Sequence, residues 1–288
     1  MDGPRTISAG LHLPECPRWR LGELWFSDMW GRAVHRLGPD GTDTVVLELD
    51  DDPGGLGWLP GGDLLVVGME RRQLWRWDGE ALALHADLAS WTEWPLNDMT
   101  VASDGTAYVT QFGFDSLGGS TGVLASPVLA VTPDGSVRVA ADDLMCPNGI
   151  AFDADEEHVV VAEPAAMRIA RFRRASSGDL VDRVELATLP VAEGAPYAPP
   201  DGLCVDARGG VWAADPIGGQ VVRLDADGAV TDVIVHDQHA LACTLGGDDR
   251  RSLFVCSTAE HHKPTRSGRP TGRIDAYRVD VPGSGRLP

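Results

Sequence analysis

Apolar residues in this chain come in short runs of strand length, broken by Asp, Gly and Pro. No stretch sustains the i, i+3, i+4 spacing of an amphipathic helix with caps at its ends. Three runs align without gaps: Asn97-Asp-Met-Thr-Val, Asn148-Gly-Ile-Ala-Phe-Asp and Asp201-Gly-Leu-Cys-Val-Asp. Each passes through a turn (Asp104-Gly105, Asp155-Glu156, Arg208-Gly209) into a second run: Ala107-Tyr-Val-Thr, His158-Val-Val-Val-Ala-Glu and Gly210-Val-Trp-Ala-Ala-Asp. Glu15-Cys-Pro-Arg-Trp opens a further unit of this kind, and Gly54-Gly-Leu-Gly-Trp-Leu and Leu241-Ala-Cys-Thr-Leu-Gly open two more. Third runs follow, such as Gln73-Leu-Trp-Arg-Trp and Gln220-Val-Val-Arg-Leu, and several end in Pro-Asp-Gly or Ala-Asp-Gly hairpin signals.

Units beginning near residues 15, 54, 97, 148, 201 and 241 are roughly 40 to 50 residues apart, the repeat length of a four-stranded propeller blade. The pattern predicts an all-β fold, a six-bladed β-propeller around a central channel. Residues 1–288 form one domain in this reading, since no linker divides them and all-β units of this size are common. Thr6-Ile-Ser-Ala is expected to pair with the last blade and close the ring.

In such a ring the first strand of each blade lines the channel. The six aligned positions, Glu15, Gly54, Asn97, Asn148, Asp201 and Leu241, would then face one centre. Four carry oxygen donors, the set that suits a hard divalent cation. Asn148-Gly and Asp201-Gly also read as turn dipeptides, but the repeat favours ligation. Loops at the same end bring Trp30, Trp94, Phe112 and Met145 to the channel mouth, where with Asn97 they are expected to contact substrate; Trp91 and Pro196-Tyr-Ala-Pro-Pro arrive there too. Asp98, Glu163 and Asp215 read either as partners of the ligands or as solvated loop carboxylates. His261 and His262 are placed in a loop on that face.

Composition narrows the classes. Hydrophobic residues make up 43% and charged residues 23% of 288, ordinary for a globular protein. A formal charge of −19 excludes nucleic acid, since there is no basic stripe to displace phosphate counterions, and opposes an anionic membrane surface. No apolar run is long enough to span a bilayer, and Met1-Asp-Gly-Pro-Arg-Thr lacks a secretory signal's pattern, so a cytoplasmic location is expected, as a monomer or weak homo-oligomer. The five cysteines are odd in number without CxxC spacing and read as buried filler, Cys16 and Cys146 included. There is no Gly-x-Ser-x-Gly elbow and no phosphate-binding glycine loop.

Glu15-Cys-Pro-Arg-Trp followed by Leu24-Trp-Phe-Ser-Asp, then Asn97-Asp, Pro147-Asn-Gly, Pro200-Asp-Gly-Leu-Cys-Val-Asp with Val211-Trp-Ala-Ala, and Cys243-Thr-Leu-Gly-Gly, in that order, resemble the gluconolactonase/regucalcin (senescence-marker-protein) family over nearly the whole chain. The resemblance implies a divalent ion, commonly calcium with zinc, magnesium or manganese as substitutes. It implies Glu15, Asn148 and Asp201 as ligands, Asn97 as a further ligand or substrate contact, and Asp201 as general base in lactone hydrolysis. Two positions depart from the pattern. Pro95 stands where sugar-lactone members often carry an arginine, and Cys16 where a small residue is usual; both, with the tryptophans, point to a flatter, more apolar substrate.

The leading expectation is a metal-dependent hydrolase that opens a small lactone or cyclic ester by attack of metal-activated water. A lyase, isomerase or cyclase using the same ion, and a propeller that binds without turnover, are the alternatives.

Overall fold

The computed structural model describes residues 3–115, 122–260, 269–286 and 288. His261 and His262 lie outside the described residues. Six four-stranded antiparallel sheets follow one another around a ring, the propeller expected from the repeat. Blade 1 holds β2 (Pro14–Arg20), β3 (Glu23–Asp28), β4 (Ala33–Leu37) and β5 (Asp43–Glu48). Blade 2 holds β6 (Pro53–Trp58), β7 (Leu64–Gly68), β8 (Gln73–Trp77) and β9 (Leu82–Asp87). Blade 3 runs from β10 (Leu96–Val101) through β11 (Ala107–Gln111) and β12 (Ala125–Val131) to β13 (Val137–Met145). Blade 4 comprises β14 (Ile150–Phe152), β15 (His158–Glu163), β16 (Arg168–Arg174) and β17 (Leu180–Ala187). Blade 5 comprises β18 (Leu203–Val205), β19 (Val211–Asp215), β20 (Gln220–Leu224) and β21 (Val230–Val235). Blade 6 is completed from both ends of the chain: β22 (His239–Gly246), β23 (Ser252–Thr258) and β24 (Gly272–Arg278) are joined by β1 (Arg5–Leu11), with Arg5 opposite Ala276. The expected closure by Thr6-Ile-Ser-Ala is therefore present. A single 3₁₀ turn (Pro164–Ala166) is the one helical element among the described residues.

The burial pattern explains why inner strands read as continuous apolar runs. Every residue of β6, β7, β10, β11, β19 and β20 is buried, because both faces are pressed against neighbouring blades. The outermost strands β5, β9 and β21 are largely exposed. Apolar side chains gather in six clusters, one at each junction between adjacent blades. Leu65, Val67, Met99 and Val109 join blades 2 and 3, for example, and Phe26, Leu24, Phe254 and Ile274 join blades 6 and 1. The core is thus a set of wedges around the ring.

Past β24 the chain turns under the end of the channel where the inner strands finish. Gly283 pairs with Asp206, the Gly283 N–H donates to the Arg250 carbonyl, and Arg286 bonds Glu156 and the Val101 carbonyl. These contacts lay the last residues from blade 6 across to blades 3 and 4.

Candidate active site where the inner strands begin

Four inner strands are irregular at one level. The pairing register shifts between Glu15 and Arg18 in β2, between Pro53 and Leu56 in β6, between Leu96 and Met99 in β10, and between Ala240 and Ala242 in β22. In blades 4 and 5 the ladder starts two residues after Asn148 and Asp201, so those side chains precede the strands that the sequence pattern assigned to them. A bulge re-aims a side chain out of the pleat. Here the irregularity falls on the positions that the repeat singled out, and it turns the oxygen-bearing residues toward the channel. Cys16, within the first bulge, takes a left-handed φ of 49°, a conformation that a small residue adopts with less strain.

Asn148-Gly149 and Asp201-Gly202 are not turns. Neither glycine has a positive φ. A Cβ on Gly149 would lie 2.6 Å from the Asp201 carbonyl oxygen, and one on Gly202 would collide with Ala242. Glycine at these places lets blade 4 press against blade 5, and blade 5 against blade 6, next to the functional side chains. Cross-blade hydrogen bonds fix the same level: Ser27 Oγ donates to the Gly54 carbonyl at 2.6 Å, Thr110 Oγ1 to the Asn148 carbonyl at 2.9 Å, and the Gly202 N–H to the Leu241 carbonyl at 2.9 Å.

The electrostatics at this level are those of a site short of positive charge. Burial pushes the Glu15 carboxyl well above its ordinary range, and the Asp201 carboxylate raises it further, while the Cys16 N–H bonded to Glu15 Oε2 (3.0 Å) opposes the shift. Asp201 rises from 3.8 to about 8 through burial and then the charge of Asp98, with the bond from Asn148 pulling it back. Glu15, Asn148 and Asp201 are therefore brought together. Asn97 is 5% exposed, and its Nδ2 has no hydrogen-bond partner among the described residues, which is costly for a buried amide unless a ligand completes it.

Two further residues define the floor. Arg18, 9% exposed, donates to Asp98 Oδ1 (2.6 Å) and to the carbonyls of Met99 (2.6 Å), Leu56 (3.1 Å) and Pro17 (3.0 Å), joining blades 1, 2 and 3. Asp98 is 3% exposed and also accepts the Met99 N–H at 2.7 Å. The sequence reading left Arg18 out. Its one signal was an arginine between Pro17 and Trp19 in a strand otherwise bound for burial.

Asp98, Glu163 and Asp215 are all buried, so the solvated-loop reading of them is corrected. Glu163 holds the Met145 N–H, Arg168 and Arg183; Asp215 holds the Ile217 and Gly218 N–H groups and Gln220. Asp28 does the same for His12, Leu13 and Gly31. These three close their second strands and tie down the loops above, a recurrent role the repeat alignment did not reveal. The thiols near the site stay protonated: burial first, then Asp201, pushes Cys146 up to about 12, and burial raises Cys16 well above its usual value. All five cysteines are free, four of them buried.

Trp30, Phe112 and Met145 are half-buried at the channel end that holds Glu15 and Asn97. Trp94 lines a cavity of about 370 Å³ beside Asn97's strand, together with Trp91, Ser90, Thr92, Glu93 and Gln111. That recess is polar as well as aromatic.

Whether these residues fit a metal follows from their chemistry. Two raised carboxylates and the carboxamide oxygens make a donor set that a hard divalent ion would satisfy, since the one cation at this level, Arg18, is already engaged by Asp98. Among the described residues no three His, Cys, Asp or Glu side chains come together for a metal, so an ion here would depend on the carboxamides of Asn148 and Asn97. No helix among the described residues is long and apolar enough to cross a membrane.

Known proteins resemble this chain in sequence and in architecture. The sequence model of the SMP-30/Gluconolactonase/LRE-like region matches residues 13–259. A 6-deoxy-6-sulfogluconolactonase of Pseudomonas putida is 28% identical over 281 residues, covering 94% of this chain and 92% of the relative. A pentonolactonase of Haloferax volcanii is 26% identical, covering 99% and 97%. Among solved structures, a gluconolactonase from Xanthomonas campestris superposes with a TM-score of 0.75 at 26% identity, covering 96% of this chain and 89% of its own.

Proposed function

Because the chain belongs to the SMP-30/gluconolactonase/LRE-like family, we propose that it hydrolyses the ring ester of a small sugar lactone, with Asp201 as general base. The observation that carries this is the half-buried Glu15–Asp201 pair, each carboxyl raised by desolvation and by neighbouring negative charge, with Asn148 on Asp201. Relatives whose names specify sugar lactones support that substrate class over the flatter, apolar one.

A divalent ion held by Glu15, Asn148 and Asp201, with Asn97 beside them, would supply Lewis-acid polarisation of the ester carbonyl. The chain's own residues account for the proton. Ionised Asp201 takes it from the attacking water as the water oxygen bonds to the carbonyl carbon. When the ring C–O bond breaks, Asp201 returns the proton to the departing ring oxygen, leaving an open-chain hydroxy acid. The unpartnered Nδ2 of Asn97 donates to a substrate oxygen, and Arg18 holds Asp98 fixed beneath the site.

Sugar lactones offered with and without chelator test the proposal. Ring opening that chelator suppresses and calcium or another divalent ion restores is expected. Asp201→Asn should lower the rate by about 10²- to 10⁴-fold with the far-UV spectrum unchanged; full activity in that variant removes Asp201 as base.

A further inference from the structure

A thiol that lactone hydrolysis does not use stands in the wall of a second cavity. This cavity, about 370 Å³, lies at the end of the channel where the inner strands finish, and Thr100, Ile150, Cys204 and Thr244 are among its lining. Of the five cysteines only Cys204 is not buried, so it is the thiol most open to a small solute.

Behind Cys204 lies another thiol. Successive side chains of a strand point to opposite faces. In β18, Leu203 and Val205 face the junction of blades 4 and 5, and Cys204 between them faces the junction of blades 5 and 6. Cys243, on β22 of blade 6, enters that second junction from the other side. Its Sγ lies 3.4 Å from the carbonyl of Trp212, the residue opposite Cys204 in the ladder, and 3.9 Å from the Gly202 carbonyl. The two thiols are in hydrogen-bonding contact with each other. Their strands approach closely because Gly202 has no Cβ, which would lie 2.3 Å from that of Ala242. The Gly202 N–H bonded to the Leu241 carbonyl at 2.9 Å holds the two backbones there. Cysteines that face each other from adjoining strands meet the main geometric demand of a disulfide. Burial, and then Cys204 itself, holds the Cys243 thiol well above its usual range, so attack on an oxidant falls to Cys204.

We propose that Cys204 and Cys243 are a peroxide-responsive pair that closes a disulfide between blades 5 and 6, just past Asp201 in the chain. The Cys204 sulfur attacks one oxygen of hydrogen peroxide and the O–O bond breaks. The departing hydroxide leaves with the thiol proton as water, and Cys204 becomes a sulfenic acid. The Cys243 sulfur then attacks the sulfenic sulfur, the S–S bond forms, and the displaced hydroxyl leaves as water with the Cys243 proton. The two thiols together lose two electrons, and one peroxide is reduced to two waters.

The test exposes the folded, full-length chain to hydrogen peroxide, alkylates the remaining thiols after denaturation, and maps the peptides by mass spectrometry. One cross-link within a chain is expected, joining the Cys204 and Cys243 peptides with the loss of two hydrogens, and dithiothreitol should reverse it. In Cys243→Ala, Cys204 should stop at the sulfenic acid and be trapped by dimedone. In Cys204→Ser, Cys243 should remain alkylatable. The wild-type cross-link is read without any substitution, so an unfolded variant does not decide the matter. Both thiols of the wild type still alkylated in excess peroxide, Cys204 carried to the sulfinic acid with no cross-link, or a link from Cys243 to Cys256 or between two chains would overturn the proposal.

Discussion

At the scale of single residues, the titration of Asp201 gives the most direct handle on the site. Its carboxyl is raised from 3.8 to about 8 in the metal-free chain, above its unfolded value. Its contribution to stability is therefore full below 3.8 and is lost as pH rises through about 8. The melting temperature of chelated protein should fall as pH rises from about 5 to about 8, and Asp201→Asn should flatten that fall. A slope of opposite sign would contradict the assigned environment. Since a cation binds the ionised form, calcium binding at neutral pH should release protons, seen as a dependence of calorimetric heat on buffer ionisation.

Arg18 makes a second residue-scale case. Replacing it with Met leaves the Asp98 carboxylate buried without its cation, which should cost about 3–5 kcal/mol in urea unfolding. Adding Asp98→Asn should restore part of that loss, and identical midpoints for wild type and Arg18→Met would show that the pair is not coupled to folding.

At the scale of elements, the features that aim the site are irregularities, which is why they were hard to read. Runs such as Leu64-Leu-Val-Val and Gln220-Val-Val-Arg-Leu announce strands because burial on both faces demands apolar residues throughout. The register shifts at Cys16-Pro17 and Asn97-Asp98 carry no composition of their own; a bulge is one unpaired residue in otherwise ordinary strand sequence. The alignment of Asn148 with Asp201 was legible, but the meaning of the glycines after them was not, because a glycine for close approach and a glycine for a turn look the same. The two readings part experimentally. Gly149→Ala forces a Cβ to 2.6 Å from the Asp201 carbonyl oxygen, spreading blades 4 and 5. It should weaken calcium binding and lower the melting temperature together, whereas a turn glycine with negative φ would tolerate alanine.

At the scale of the whole molecule, stability is spread over six wedges between blades, and the ring depends on β1 lying against β24. Removing residues 3–11 would expose the β24 edge and strip Leu11 from its junction. The shortened protein should melt at lower temperature and self-associate through that edge, as light scattering would register.

The same seam bears on how the molecule comes into being. Arg5 meets Ala276, so β1 must wait for β24 before it gains a partner. During translation the growing chain is an open arc, its earliest strand dangling and its first blade lacking a neighbour on one side. Blades can stack in order as they emerge, but a sealed, load-sharing circle is available only once β24 has emerged. A nascent chain stalled anywhere short of β24 is therefore the form most in need of a chaperone.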